Sequence, residues 1–140
     1  MKVDAIVQKA FEAAEAARKN AYAEYSKVKV GAAIKLKGSD EIYAGANVEF
    51  AVNGISVCAE RSALSNSVTA VGKPEIDFLV VASNTDPVLY PCGVCLQALT
   101  EFCTDNIDIF IANKSGVVSK TKFRDLYTYQ YSELPKILDE

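Results

Sequence analysis

Histidine is absent from the 140 residues, and its absence excludes several kinds of active site. A serine or cysteine nucleophile activated by a histidine base cannot be built from this chain. A zinc site with imidazole ligands is excluded as well. Any acid–base chemistry must therefore use carboxylates, lysine, tyrosine, thiols or metal-bound water.

Long apolar runs and an excess of basic charge are also missing. No hydrophobic stretch approaches the roughly 20 residues of a membrane helix, and residues 1–5 lack the apolar segment of a secretory signal. We therefore expect a cytoplasmic protein with no membrane partner. The 15 Lys and Arg against 18 Asp and Glu give a net charge of −3, whereas binding to nucleic acid favours a basic face. A small, weakly charged substrate fits this composition better than a nucleic acid.

Half of the residues are hydrophobic, enough to bury one core, and we expect residues 1–140 to form a single domain. Helical periodicity predicts helices near 3–20, 58–70, 92–102 and from 123 onward. Alternation and short apolar runs predict strands near 28–36, 42–48, 76–82, 107–112 and 117–118. This order favours an α/β fold, a three-layer α/β/α sandwich around a five-stranded mixed sheet. The strand at 28–36 is expected to be half-buried, with its lysines facing solvent.

The four cysteines carry the clearest chemical signal in the chain. Cys58 begins one predicted helix, and Cys92 and Cys95 lie in the first turn of another, three residues apart and on the same side. Helix N-termini lower thiol pKa values, so three thiolates are expected to hold one Zn²⁺ per chain. Three protein ligands leave a fourth position for water, as in catalytic zinc sites. Cys103 lies about 12 Å further along the helix and is interpreted as a core residue.

Glu60 lies two residues after Cys58, a spacing that places the two side chains on different faces of the helix. Glu60 is therefore not expected to be a further metal ligand. A carboxylate beside a metal-bound water can take its proton and return it to a leaving group. The alternative interpretation is a glutamate that only complements the helix dipole. Next to three suitably spaced cysteines, we favour Glu60 as the catalytic proton shuttle. A zinc-stabilised binding module without turnover would require a fourth protein ligand, and Glu60 would have no role in it.

The sequence resembles the small homotetrameric cytidine deaminases of pyrimidine salvage. The resemblance rests on four segments, 25–33, 45–49, 58–63 and 91–97. It implies the three-layer fold described above and hydrolytic deamination of cytidine or deoxycytidine to uridine or deoxyuridine plus ammonia. In this chemistry a zinc-bound hydroxide attacks C4 of cytosine while a glutamate that is not a ligand shuttles protons. It also implies a homotetramer whose active sites are shared between subunits.

The same resemblance assigns substrate contacts to particular residues. Asn47 and Glu49, expected on one face of the second strand, would bind the ribose hydroxyls, and the backbone around Ala59 would hold the edge of the pyrimidine. Val28 stands where the family often has a phenylalanine that packs on the base. Tyr131 is matched to the aromatic residue that covers a neighbouring subunit's site.

Three further positions bear on the metal centre and on the substrate. All-cysteine members of the family place an arginine beside the glutamate to hydrogen-bond the sulfurs, which assigns that role to Arg61. A second arginine usually follows the last ligand, and Leu96 stands there instead. Asn53 replaces a tyrosine of the sugar pocket. The residues around the sugar therefore leave open a deaminase of a modified cytosine nucleoside, such as blasticidin S.

Overall fold

A computed structural model describes residues 1–138 of the chain. Its elements, in chain order, are α1 Ala5–Lys19, β1 Val30–Leu36, β2 Ile42–Ala46, a short 3-10 turn Asn53–Ile55, α2 Ala59–Val71, β3 Ile76–Ser83, α3 Gly93–Thr100, β4 Asp108–Asn113, β5 Gly116–Lys122 and α4 Phe123–Leu126. This is the order that the hydrophobic pattern predicts. None of the helices within residues 1–138 combines the length and apolar character needed to cross a membrane.

The five strands form one sheet in the order β2-β1-β3-β4-β5. The central pair, β3 and β4, is parallel, and the remaining pairs are antiparallel. The predicted five-stranded mixed sheet is therefore confirmed. The parallel pair needs a crossover connection between its strands, and this connection carries α3.

Helices cover both faces of the sheet, which gives the predicted three layers. Alternate side chains of a strand point to opposite faces, and β3 shows the result clearly. Phe78 and Val80 pack with Phe11 of α1 on one face. Leu79 and Val81 face the opposite side and pack with buried residues of α2 and α3. A strand covered on both faces reads as a continuous apolar run, which is what residues 76–82 are.

The expectation of a half-buried strand at residues 28–36 is wrong. The strand begins at Val30, and α1 covers the face that was expected to meet solvent. Gly31 lies so close to α1 that a Cβ would stand 1.9 Å from the carbonyl oxygen of Ala14. Lys35, on that face, is 12% exposed and pairs with Asp77 at 3.0 Å. Glycine and alanine allow the helix to approach the strand, and a lysine paired with an acid can remain beneath it.

The segments that carry the cysteines follow strands that end on the same side of the sheet. The start of β1 pairs with the end of β3, Val30 opposite Ser83, and with the end of β2, Gly31 opposite Ala46. Helix α2 packs closely on β2, since a Cβ on Gly45 would lie 2.3 Å from the backbone nitrogen of Ala63. This contact fixes the N-terminal half of α2 against the sheet.

Candidate active site

Three of the four cysteines meet where α2 and α3 begin. Cys58 is the residue just before α2, Cys92 is the residue just before α3, and Cys95 lies in the first turn of α3. The Sγ atoms of Cys58 and Cys92 are 3.8 Å apart, and those of Cys92 and Cys95 are 3.5 Å apart. All three sulfurs lie within 4.8 Å of one another. Cys95 is buried, Cys58 is half-buried and Cys92 is exposed.

The cluster fits a tetrahedral zinc ion. Zinc–thiolate bonds of about 2.3 Å in tetrahedral geometry place sulfurs roughly 3.8 Å apart, close to the separations found here. Cys103 lies outside the cluster and packs against the core, where burial raises the pKa of its thiol to about 12. The protein thus offers three thiolate ligands at this site, the number that leaves one position open for chemistry.

The cluster already favours a thiolate at one of its members. A hydrogen bond with Cys95, assisted by Arg61 and Cys92, lowers the pKa of Cys58 to about 5. The same hydrogen bond raises the pKa of Cys95, and burial raises it further. These contacts favour the thiolate at Cys58 over that at Cys95, and binding of a metal by all three sulfurs releases the thiol protons that remain.

Arg61, to which the family resemblance assigns hydrogen bonds to the sulfurs, lies beside the cluster. Its Nη2 donates to the backbone carbonyl of Ser56 at 3.2 Å and to Sγ of Cys58 at 3.8 Å. Cys58 raises the pKa of the guanidinium through this hydrogen bond. A fixed positive charge next to the sulfurs offsets part of the negative charge of three thiolates.

Glu60 lies in the first turn of α2 and is only 4% exposed. A glutamate that merely complements the helix dipole would lie at the surface, so its burial favours a role within the site. Desolvation raises the pKa of this carboxyl, because the charged form loses its hydration. The side chain therefore holds a proton more readily than an exposed glutamate does.

A cavity of about 290 Å³ opens over the cysteines and Glu60. Its lining residues are Val30, Asn47, Cys58, Ala59, Glu60, Val81, Leu89, Tyr90 and Cys92. The cysteines and Glu60 supply ligating and acidic groups, and the remaining, mostly apolar lining residues form what we call the wall. This is the usual composition of a site for a small molecule with one reactive edge. We call Cys58, Cys92, Cys95 and Glu60 together the floor; Cys95 belongs to it through the sulfur cluster and does not itself line the cavity.

Sequence reasoning missed four of the cavity residues, Val30, Val81, Leu89 and Tyr90. Leu89 and Tyr90 directly precede the Pro91-Cys92 motif, and this position was a usable signal. Val30 and Val81 come from β1 and β3, so only the sheet register could have identified them. Ala59, which was predicted, is fully buried and lines the cavity.

Asn47 and Glu49 do not lie on the second strand as expected, because β2 ends at Ala46. The Asn47 amide pairs with the backbone instead, accepting from Val30 N and donating to Val28 O, both at 2.8 Å. Asn47 still lines the cavity, whereas Glu49 does not. Oε1 of Glu49 accepts from the backbone nitrogens of Tyr25 at 3.0 Å and Ser26 at 2.7 Å. Hydrogen bonds from Ser26 lower the pKa of this carboxyl.

The remaining predicted positions lie outside the cavity. Val28 is half-buried and contributes its carbonyl to Asn47 rather than a wall to the cavity. Tyr131 is 54% exposed, and its carbonyl accepts from Gln97 Nε2 of α3 at 2.8 Å. A role for Tyr131 at a neighbouring copy stays a prediction. Leu96 is buried in the core on the side of α2 and α3, so the position of the second arginine is a packing position here.

The chain matches known proteins over most of its length. The family model for the cytidine and deoxycytidylate deaminase zinc-binding region matches residues 5–111. The cytidine deaminase of Mycoplasma pneumoniae is 41% identical over 96 residues, which are 68% of this chain and 71% of that protein. The cytidine deaminase of Sporosarcina psychrophila is 33% identical over 127 residues, which are 91% of this chain and 92% of that protein.

The fold of this chain is similar to that of a solved cytidine deaminase structure. The crystal structure of cytidine deaminase from Burkholderia pseudomallei superposes with a TM-score of 0.80 at 35% sequence identity. The match covers 88% of this chain and 97% of that structure. The likeness therefore extends over most of the fold.

Proposed function

The chain belongs to the cytidine and deoxycytidylate deaminase family, and we propose that it is a zinc-dependent cytidine deaminase. The reaction replaces the amino group at C4 of cytidine or deoxycytidine with oxygen from water, releasing ammonia and leaving uridine or deoxyuridine. The observation that carries the proposal is the floor, where a buried glutamate lies beside three clustered thiols in a small cavity.

Cys58, Cys92 and Cys95 would hold the zinc, one ion per chain. When bound, zinc lowers the pKa of a water molecule toward neutrality and so supplies a nucleophile. Three thiolates and Zn²⁺ sum to −1, which weakens the ion as a Lewis acid. The Arg61 guanidinium and the N-termini of α2 and α3 offset this charge in part.

Glu60 moves the protons. Its carboxylate takes a proton from the attacking water and delivers it to N3 of the pyrimidine; it then takes the proton of the hydroxyl group now on C4 and transfers it to the amino group, which leaves as ammonia. The desolvation that raises its pKa suits this work, because in each transfer the group must hold the proton between taking it and delivering it. Exclusion of solvent from Glu60 also keeps the proton from exchanging with bulk water.

Ala59 and Asn47 would position the nucleoside. Ala59 is the first residue of α2, so its backbone N–H has no partner within the helix and can donate to the ring. Asn47 and Glu49 remain our assignment for the ribose hydroxyls. For Glu49 this role falls to Oε2, since Oε1 is occupied by the backbone of Tyr25 and Ser26.

We propose a homotetramer with shared active sites, working in pyrimidine salvage. Phe50, Val52 and Ile55 support an assembly, since they are 40%, 64% and 60% exposed in the segment just before Cys58. Apolar side chains grouped on a surface favour contact with another protein. A cytoplasmic location is part of the same proposal, because a reducing compartment keeps all four thiols free for the metal.

The test is turnover by protein confirmed to contain one zinc per chain. We expect cytidine and deoxycytidine to release ammonia, and Cys95→Ala protein to lose both zinc and activity. Cys103→Ala protein is the matched control and should keep both. Blasticidin S is included because the sequence left a modified cytosine nucleoside open; turnover of it alone would move the assignment to that substrate. No turnover of any of these nucleosides would refute the proposed function.

A further inference from the structure

Residues 25–29, between α1 and β1, form an irregular segment that leads up to the cavity. It contains Lys27 in a left-handed backbone conformation, with φ +63°, which is uncommon for a residue other than glycine. One side of the segment is held by Glu49, which accepts from Tyr25 and Ser26. A segment with this backbone keeps its shape only when surrounding contacts hold it.

Asn84, the first residue after β3, holds the other side of the segment. Its Oδ1 accepts from Lys29 N at 2.9 Å, and its Nδ2 donates to Lys27 O at 3.0 Å. Its own backbone N–H donates to Lys29 O at 3.2 Å. One asparagine therefore contacts the backbone on both sides of Val28, across more than 50 residues of sequence, and the left-handed residue is one of the two it holds.

The held segment continues directly into the wall of the cavity. Val28 O and Val30 N are the two backbone partners of the Asn47 amide. Both Asn47 and Val30 line the cavity, whereas Asn84 does not. A shift of Lys27 and Lys29 would thus displace the backbone that orients Asn47, without touching the cysteines or Glu60.

We propose that Asn84 is a positioning residue for nucleoside binding: by fixing residues 27–29 it sets the orientation of Asn47 and Val30 at the cavity wall. This inference rests on the proposed function. Asn84 acts through the backbone and never contacts the reacting atoms. Its loss should therefore raise KM, while kcat and zinc content stay close to wild type.

The experiment compares zinc-loaded wild-type protein with Asn84→Ala and Asn84→Asp variants. Two lost hydrogen bonds, each with a modest net value, lead us to expect a KM for cytidine about threefold to tenfold higher in Asn84→Ala, with kcat within about twofold. Asn84→Asp retains an acceptor for Lys29 N but no donor for Lys27 O, so its KM should lie between the two. Amide hydrogen exchange of residues 25–30 should be faster in Asn84→Ala.

Asn106→Ala is the matched control. Asn106 Oδ1 also accepts a backbone N–H, that of Arg124 at 2.9 Å. Asn106 precedes β4, however, and therefore lies at the opposite end of the strands from Asn84. This variant should keep the wild-type KM. An unchanged KM or unchanged exchange of residues 25–30 in Asn84→Ala would overturn the inference alone. A wild-type enzyme that turns over no nucleoside would instead overturn the proposed function, and with it this role.

Discussion

The floor of the cavity and the wall beside residues 25–30 are built in different ways. The floor residues lie at the N-termini of two helices, and two of them, Cys95 and Glu60, are buried. Beside the wall residues Val30 and Asn47 the chain is irregular, and the side chains of Asn47, Glu49 and Asn84 hold it there by hydrogen bonds to backbone atoms. The residues proposed for the chemistry therefore lie on rigid elements, and those proposed for the substrate lie on or beside segments that side chains hold in position.

The two regions are also joined. Val48, between Asn47 and Glu49, exchanges backbone hydrogen bonds with Val57, each at 2.9 Å. Val57 is followed by Cys58, so a single backbone pair links the two residues proposed for the sugar to a proposed metal ligand. Substitutions in the floor should lower kcat or metal affinity, and substitutions in the wall should raise KM.

The largest expected effect is at Glu60. Glu60→Gln keeps the shape of the side chain but cannot carry the proton, so we expect kcat to fall by about 10²- to 10⁴-fold. Zinc content should remain one per chain, measured by metal analysis of the purified variant. Glu75→Gln, at an exposed glutamate before β3, is the control and should behave as wild type. If Glu60→Gln protein loses its zinc, Glu60 is a ligand and its assigned role is wrong.

A smaller effect is expected at Arg61. Arg61→Gln removes the charge and the donor to Cys58, and changes to residues around metal ligands typically cost about 10- to 100-fold in metal affinity or activity. Zinc affinity measured by competition with a chelator should fall within that range, as should kcat. A loss below about threefold in both would show that the helix N-termini suffice, and that Arg61 does not compensate the thiolates.

The difference between the regions also explains what the sequence could predict. Cys92 and Cys95 are three residues apart, and each cysteine group begins a helix, so the floor is encoded by local spacing. The order of helices and strands likewise follows from the hydrophobic period and the placement of loops. Local patterns in the sequence are for these reasons sufficient to predict the floor residues and the mixed sheet.

The wall could not be predicted in the same way, because its contacts join residues far apart in sequence. Asn84 reaches Lys29 across 55 residues, and Val30 meets Ser83 only through the register of the sheet. The second strand was expected to continue to Val48, since alternation persists there. It ends at Ala46: Asn47 N still donates to Val30 O at 3.1 Å, but Val30 N and Val28 O pair with the side-chain amide of Asn47 in place of backbone partners.

The smallest expected effect is at Glu49, which holds the chain beside the wall and whose two oxygens are assigned to different partners. Glu49→Gln keeps an acceptor for the N–H groups of Tyr25 and Ser26 but removes the charge. Hydrogen bonds to a charged group are stronger than neutral ones, so KM for cytidine should rise about threefold to tenfold while kcat stays within about twofold.

The readout that separates the two oxygens of Glu49 is the sugar. If Oε2 binds a ribose hydroxyl, Glu49→Gln should weaken binding of cytidine, whereas free cytosine, which has no sugar, should compete equally well against wild type and variant. Glu41→Gln is a matched control, since Glu41 accepts from the Tyr43 hydroxyl at the far end of β2. Equal weakening toward cytosine and cytidine would show that Glu49 acts only by holding residues 25 and 26. A fall in kcat without a rise in KM would break the division between floor and wall, and would place Glu49 with the catalytic groups through the Val48–Val57 pair.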